Sequence, residues 1–129
     1  MAKRVLIIDD DNDYVEAVSM LLEAKGYEVL SAPDGKAGFA KAKEDCPGLI
    51  ILDVMMATRT EGFDVARLLK DDAKTKDIPV ILITGIKRDM NLAFGFEPDE
   101  VWLPVKAVLD KPVKPEVLLK AVEENIKPS

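Results

Sequence analysis

The chain has 129 residues, no histidine, one cysteine and a formal net charge of −6. That length fits a single domain, 1–129, and 48% hydrophobic with 33% charged residues supplies a real core, which excludes a disordered tail. The acidic balance argues against nucleic acid or a membrane surface as partner, and the lone Cys46 excludes an internal disulfide and suits a cytoplasmic protein.

The first apolar run, Val5-Leu6-Ile7-Ile8, predicts a strand. It stops at an acidic cluster, Asp9-Asp10-Asp11-Asn12-Asp13, far too soon for a signal peptide or a membrane span. Tyr14, Val15, Val18, Leu21 and Leu22 then recur with the period of an amphipathic helix, capped by Asp11 or Asn12 and closed by Gly26. Residues 27–31 predict a second strand, Pro33-Asp34-Gly35 a turn, and residues 36–43 a weaker helix broken by Pro47-Gly48. Cys46, at that helix end, is read as inert. Leu49-Ile50-Ile51-Leu52 is a third strand ending on Asp53, and residues 62–72 place Phe63, Val65, Ala66, Leu68 and Leu69 in helical rhythm. Pro79-Val80-Ile81-Leu82-Ile83 is the fourth strand, ending at Thr84-Gly85. A short helix is expected near residues 90–94 and a fifth strand within 105–109, running into Asp110-Lys111-Pro112. The last helix starts near Pro115 and is expected to bury Val117, Leu118, Ala121, Val122 and Ile126.

Strands that are apolar throughout are covered on both faces, which requires parallel pairing with crossover helices. Right-handed crossovers then favour an open, doubly wound α/β sheet, and an eight-unit barrel needs about 250 residues. Such sheets bind ligands beyond the carboxyl ends of their strands. There the sequence offers Asp9 and Asp10 after strand 1, Asp53 after strand 3, Thr84 after strand 4 and Lys111 after strand 5. If strands 1 and 3 are neighbours, three carboxylates share one cleft. Two like charges about 4 Å apart repel by about 4 kcal/mol at an effective dielectric of 20. Either protonation or a cation relieves that, and donors that are all oxygen suit Mg²⁺, with Mn²⁺ or Ca²⁺ as alternatives. Each residue also has an ordinary reading: Asp9 as a helix cap, Asp53 as a loop acid, Thr84 as part of a turn, Lys111 as surface charge. Together, on four strands of one sheet, those readings lose force.

These motifs resemble the response regulator receiver domain, the phospho-accepting module of two-component signalling. The match runs through Val5-Leu6-Ile7-Ile8-Asp9-Asp10-Asp11, Ala32-Pro33-Asp34-Gly35, Leu49 to Met56, Ile78 to Gly85 and Asp110-Lys111-Pro112-Val113. The resemblance, to the chemotaxis-regulator type, implies a flavodoxin-like five-stranded parallel sheet in the order 2-1-3-4-5 with helices on both faces. It implies that Asp53 accepts a phosphoryl group from a histidine kinase or a histidine phosphotransfer protein. Asp9, Asp10, Asp53 and the main-chain carbonyl of Met55 would hold Mg²⁺, while Thr84 and Lys111 would meet the phosphoryl group. The protein would catalyse its own phosphorylation and dephosphorylation without being a conventional enzyme. Its target would bind the face made by the fourth helix, the fifth strand and the fifth helix.

The sequence departs from the family in two places. The loop Met56-Ala57-Thr58-Arg59-Thr60-Glu61-Gly62 lacks the usual proline and is one residue longer; Arg59 there is read as solvated. Val108 stands where an aromatic residue is usual, and the Thr84–Lys111 interval is long and carries Trp102, read as core packing or a partner patch. The usual threonine–aromatic coupling is therefore not assumed. Two other functions compete. A receiver acting by protein binding alone would keep the fold without the chemistry. A Mg-dependent aspartyl phosphatase would want an acid two residues after its nucleophile, where this chain has Met55. With no further domain after Ser129 in the sequence, the expected output is protein contact or phosphoryl relay, unless the chain is part of a larger regulator.

Overall fold

Three of the strands carry uninterrupted four-residue apolar runs, and the computed structural model shows why. It describes residues 3–53, 61–84, 106–110 and 113–127. Within them, β1 (Arg4–Ile8), β2 (Glu28–Ala32), β3 (Leu49–Asp53), β4 (Val80–Thr84) and β5 (Ala107–Asp110) form one parallel sheet in the order β2-β1-β3-β4-β5. The helices are α1 (Asn12–Glu23), α2 (Gly35–Asp45), α3 (Glu61–Asp71) and α4 (Pro115–Asn125).

Successive strand residues point to opposite faces, so each central strand feeds two cores. Val5, Ile7, Leu49, Ile51, Ile81 and Ile83 pack with Val18 and Leu22 of α1 and Leu118, Ala121 and Val122 of α4. Leu6, Ile8, Ile50, Leu52, Val80 and Leu82 pack on the other face with Ala42 of α2 and Val65, Ala66 and Leu69 of α3. Full burial of one such aliphatic side chain contributes about 1.5–3 kcal/mol, which is why β1, β3 and β4 tolerate so few polar residues. Gly38 permits the closest approach between α2 and β1: a Cβ there would meet three atoms of the Ile8 side chain, the nearest at 2.5 Å.

The helix starts follow the expected chemistry. Asp11 caps α1 by accepting from the N–H groups of Asp13 and Tyr14 at 3.1 and 3.2 Å. Asp34 caps α2 through the Ala37 N–H at 2.8 Å, and Pro115 opens α4.

Several boundaries differ from the periodicity. α1 stops at the cap residue Ala24, and Gly26, with φ of +91°, follows it as the left-handed residue of the turn. α2 runs to Asp45, and Cys46 ends it with a left-handed φ of 46° and an exposed thiol. Leu68 of α3 and Val117 of α4, expected inside, are 50% and 44% exposed. Ile126 lies just past α4 in extended backbone and is half-buried. In each helix the covered stripe is narrower than the apolar stripe. The strands also run on to Asp53 and Thr84, whose backbones stay in register with Ile83 and Asp110. The expected helix near 90–94, Arg59 and Trp102 lie outside the described residues, as does the side chain of Val108. Among the described residues no helix is long and apolar enough to cross a membrane.

Candidate functional site

The order β2-β1-β3 makes β1 and β3 neighbours, with Ile8 level with Leu52. One further step along each strand brings Asp9 level with Asp53, and alternation turns both toward the face covered by α1 and α4. Both are buried, at 2% and 3% exposure, while Asp10 is exposed. Carboxylate oxygens of the three lie within 4.8 Å of one another.

Local hydrogen bonds sort the acidic run by role. The Asp11 N–H donates to Asp9 Oδ1 at 2.9 Å, and the Asp11 carboxylate caps the helix. Asp9 is therefore not the cap of α1, which settles the choice left open by the sequence. The cap releases Asp9 and Asp10 to face the cleft, with one of them oriented by a main-chain donor.

The chemistry of this donor set suits a hard divalent cation. It is made only of oxygen, two carboxylates are buried, and the third sits at the solvent side where a hydrated ion keeps its waters. The field of the acids is felt by Tyr14, in the first turn of α1. Burial first, then the negative charges of Asp9 and Asp53, push its phenol from 10.0 up to about 12. The sequence placed Tyr14 in an apolar helical stripe, and nothing in that pattern distinguishes a ring that only fills the core from one whose hydroxyl meets the pocket.

The remaining expected residues stand as follows. Thr84 ends β4, one residue beyond Ile83, which pairs with Asp53. Its backbone is placed at the same end of the sheet; its side chain lies outside the described residues. Lys111 directly follows β5, and Met55 follows β3 by two positions; both lie outside the described residues.

Comparison with known proteins agrees with this arrangement. The family model for the response regulator receiver domain matches residues 5–123. Protein PilH of Pseudomonas aeruginosa is 35% identical over 122 residues, covering 92% of this chain and 93% of PilH. Response regulator PleD of Caulobacter vibrioides is 45% identical over 86 residues, which are 67% of this chain and only 19% of PleD. The chain thus spans a small part of some curated relatives and nearly the whole of another. Among solved structures, the chemotaxis response regulator CheY4 of Vibrio cholerae superposes with a TM-score of 0.78 at 28% identity, covering 98% of this chain and all of that one. The strand order, the acids at the ends of β1 and β3, and the family match over residues 5–123 lead to one conclusion: this chain belongs to the response regulator receiver domain family.

Proposed function

We propose that the protein takes a phosphoryl group on Asp53 and changes its binding to a protein target when it does so. The observation that carries this reading is the clustering of Asp9, Asp10 and Asp53, their oxygens within 4.8 Å, at the carboxyl ends of β1 and β3. A carboxylate is a competent nucleophile toward phosphorus when charge on the transferring oxygens is compensated. In the step, a carboxylate oxygen of Asp53 bonds to phosphorus as the bond from phosphorus to the donor's imidazole nitrogen breaks. The electron pair stays on that nitrogen. Because these 129 residues contain no histidine, the phosphohistidine lies outside them, on a histidine kinase or a phosphotransfer protein.

Asp9, Asp10 and Asp53, with the main-chain carbonyl of Met55, would hold Mg²⁺, which would supply charge neutralisation for the phosphoryl oxygens. Asp9 is held for that role by the Asp11 N–H. Thr84 and Lys111 follow or end the neighbouring strands β4 and β5, and we assign them a hydroxyl donor and an ammonium partner for the same oxygens. Dephosphorylation is attack of water on phosphorus, returning the carboxylate and inorganic phosphate. The protein so described is a cytoplasmic signalling switch, with its target recognised away from the pocket.

Intact mass after incubation with Mg²⁺ and a small acyl phosphate, alongside Asp53→Asn, tests the reading. A single phosphoryl adduct on the wild type and none on the variant is the expected result. An adduct that survives in Asp53→Asn contradicts it, and no adduct on either protein favours a receiver that acts by protein binding alone.

A further inference from the structure

Tyr14 is the polar side chain nearest in role to the acid pocket that the phosphoryl-acceptor chemistry leaves unused. Strand alternation turns Asp9 and Asp53 toward the α1 face, the same face on which the Tyr14 ring packs beside the cluster of Val5, Ile7, Leu49 and Ile51. The start of α1 is tied to the pocket by two successive hydrogen bonds. The Asp11 N–H holds Asp9, and the Asp11 carboxylate takes the N–H of Tyr14 itself. The position of Tyr14 relative to Asp9 is therefore set by main-chain geometry rather than by a flexible loop. Its hydroxyl oxygen is shut away from solvent although the residue as a whole is only half-buried. The polar end of the side chain points inward. A phenol oriented that way on a surface helix is unusual, since the hydroxyl end of a half-buried tyrosine generally reaches water.

We propose that Tyr14 is a positioning residue of this pocket, its phenol hydroxyl donating from the α1 side to an oxygen of the phosphoryl group that Asp53 receives. The inference rests on the phosphoryl-acceptor reading above. The ionisation of the phenol is consistent with it: with burial first, and then Asp9 and Asp53, holding the proton on, the hydroxyl remains a donor throughout the neutral range. It adds a neutral donor on the α1 side, beside the carboxylates of Asp9 and Asp53, and it approaches from the side opposite the α2–α3 layer. A donor there orients the incoming group without drawing the metal-binding acids together.

The test compares the wild type with Tyr14→Phe, which keeps the ring, and Tyr14→Leu, which does not. The rate of adduct formation from a small acyl phosphate is followed at saturating Mg²⁺, with thermal stability measured on each protein. Loss of one hydrogen bond to a charged oxygen predicts a rate about 3- to 10-fold lower in both variants. The second readout is the ring-carbon resonance bearing the hydroxyl in tyrosine-labelled protein carrying Tyr27→Phe. Beryllium fluoride, a tetrahedral phosphoryl mimic, should shift that resonance in the presence of Mg²⁺, beyond any shift from Mg²⁺ alone. A role for the ring alone gives a different pattern: Tyr14→Phe at the wild-type rate, with only Tyr14→Leu slowed and the resonance unmoved by the mimic. That pattern, on a wild type that does form the Asp53 adduct, overturns this inference and leaves the phosphoryl-acceptor reading standing. A wild type that forms no adduct overturns both.

Discussion

The two ends of the parallel sheet are built on opposite principles. At the carboxyl end, Asp9, Asp10 and Asp53 bring like charges within 4.8 Å, an arrangement that repels itself. At the amino end, main-chain carbonyls are satisfied by donors from distant parts of the chain. The Gly48 N–H donates to the Arg4 carbonyl at 2.9 Å, the Lys127 N–H to the Gly48 carbonyl at 3.0 Å, and Lys127 Nζ to the Asp77 carbonyl at 2.8 Å. One end of the same sheet is secured by hydrogen bonds, and the other keeps an unfavourable cluster of charge in a protein with ample sequence to avoid it. Electrostatic tension retained at one edge of an otherwise well-packed fold is a signature of functional sites, and it falls at the edge where the proposed chemistry lies.

The comparison is broken most severely at the secured end. A Cβ on Gly48 would collide with the main-chain carbonyl of Lys127, a residue whose own N–H is bonded back to the Gly48 carbonyl. Gly48→Ala is expected to lose about 3 kcal/mol by denaturant unfolding, a value at the upper end for overpacking. A loss under 1 kcal/mol, roughly the range for a surface change, would show that the strap formed by Ile126 and Lys127 contributes little. At the charged end the sign reverses. Asp53→Asn removes one of three clustered charges, so the metal-free variant should be more stable than the wild type by about 1–3 kcal/mol. Saturating Mg²⁺ should shrink that gap by stabilising the wild type more. A variant less stable than the wild type in metal-free buffer contradicts the proposed repulsion.

The sequence made the sheet legible because burial on both faces leaves short uninterrupted runs such as Leu49 to Leu52, and their shortness, β-branched residues and flanking breakers such as Pro47-Gly48 set them apart from helix. The pocket acids were legible for the same reason, since Asp9 and Asp53 each interrupt such a run where a strand must end. What was not legible depended on contacts distant in the chain or on orientation. Gly48 reads as half of a Pro-Gly break, and its partner Lys127 lies at the far end of the sequence. The apolar stripes predicted Leu68 and Val117 as buried, but periodicity does not report how wide a strip of helix the sheet covers. The roles within Asp9-Asp10-Asp11 needed the hydrogen bonds, because all three are aspartates and any of them suits a helix cap.

Two smaller effects sharpen the contrast. The raised phenol of Tyr14 binds its proton more tightly in the folded than in the unfolded chain. Its contribution to stability is therefore complete below pH 10 and is lost as pH rises through about 12. Tyr14→Phe should remove that part of the alkaline decline in a pH series of unfolding midpoints. Asp9→Asn should let the phenol ionise at lower pH in an absorbance titration on a Tyr27→Phe background, by removing one of the charges that raise it. An ionisation indifferent to that substitution would separate Tyr14 from the pocket. The smallest effect lies away from both ends. Cys46 holds a left-handed backbone at the end of α2 and precedes Pro47, so Cys46→Gly should gain about 0.5–1 kcal/mol, read from the unfolding midpoint.

The most direct measurement concerns the charged end itself. The protein is incubated with Mg²⁺ and a small acyl phosphate, reduced with borohydride, and digested for peptide mass mapping. An acyl phosphate on an aspartate side chain is reduced to the alcohol, so the account predicts homoserine at position 53 and unchanged aspartate at positions 9 and 10. Homoserine at position 9 or 10, with Asp53 intact, would contradict it.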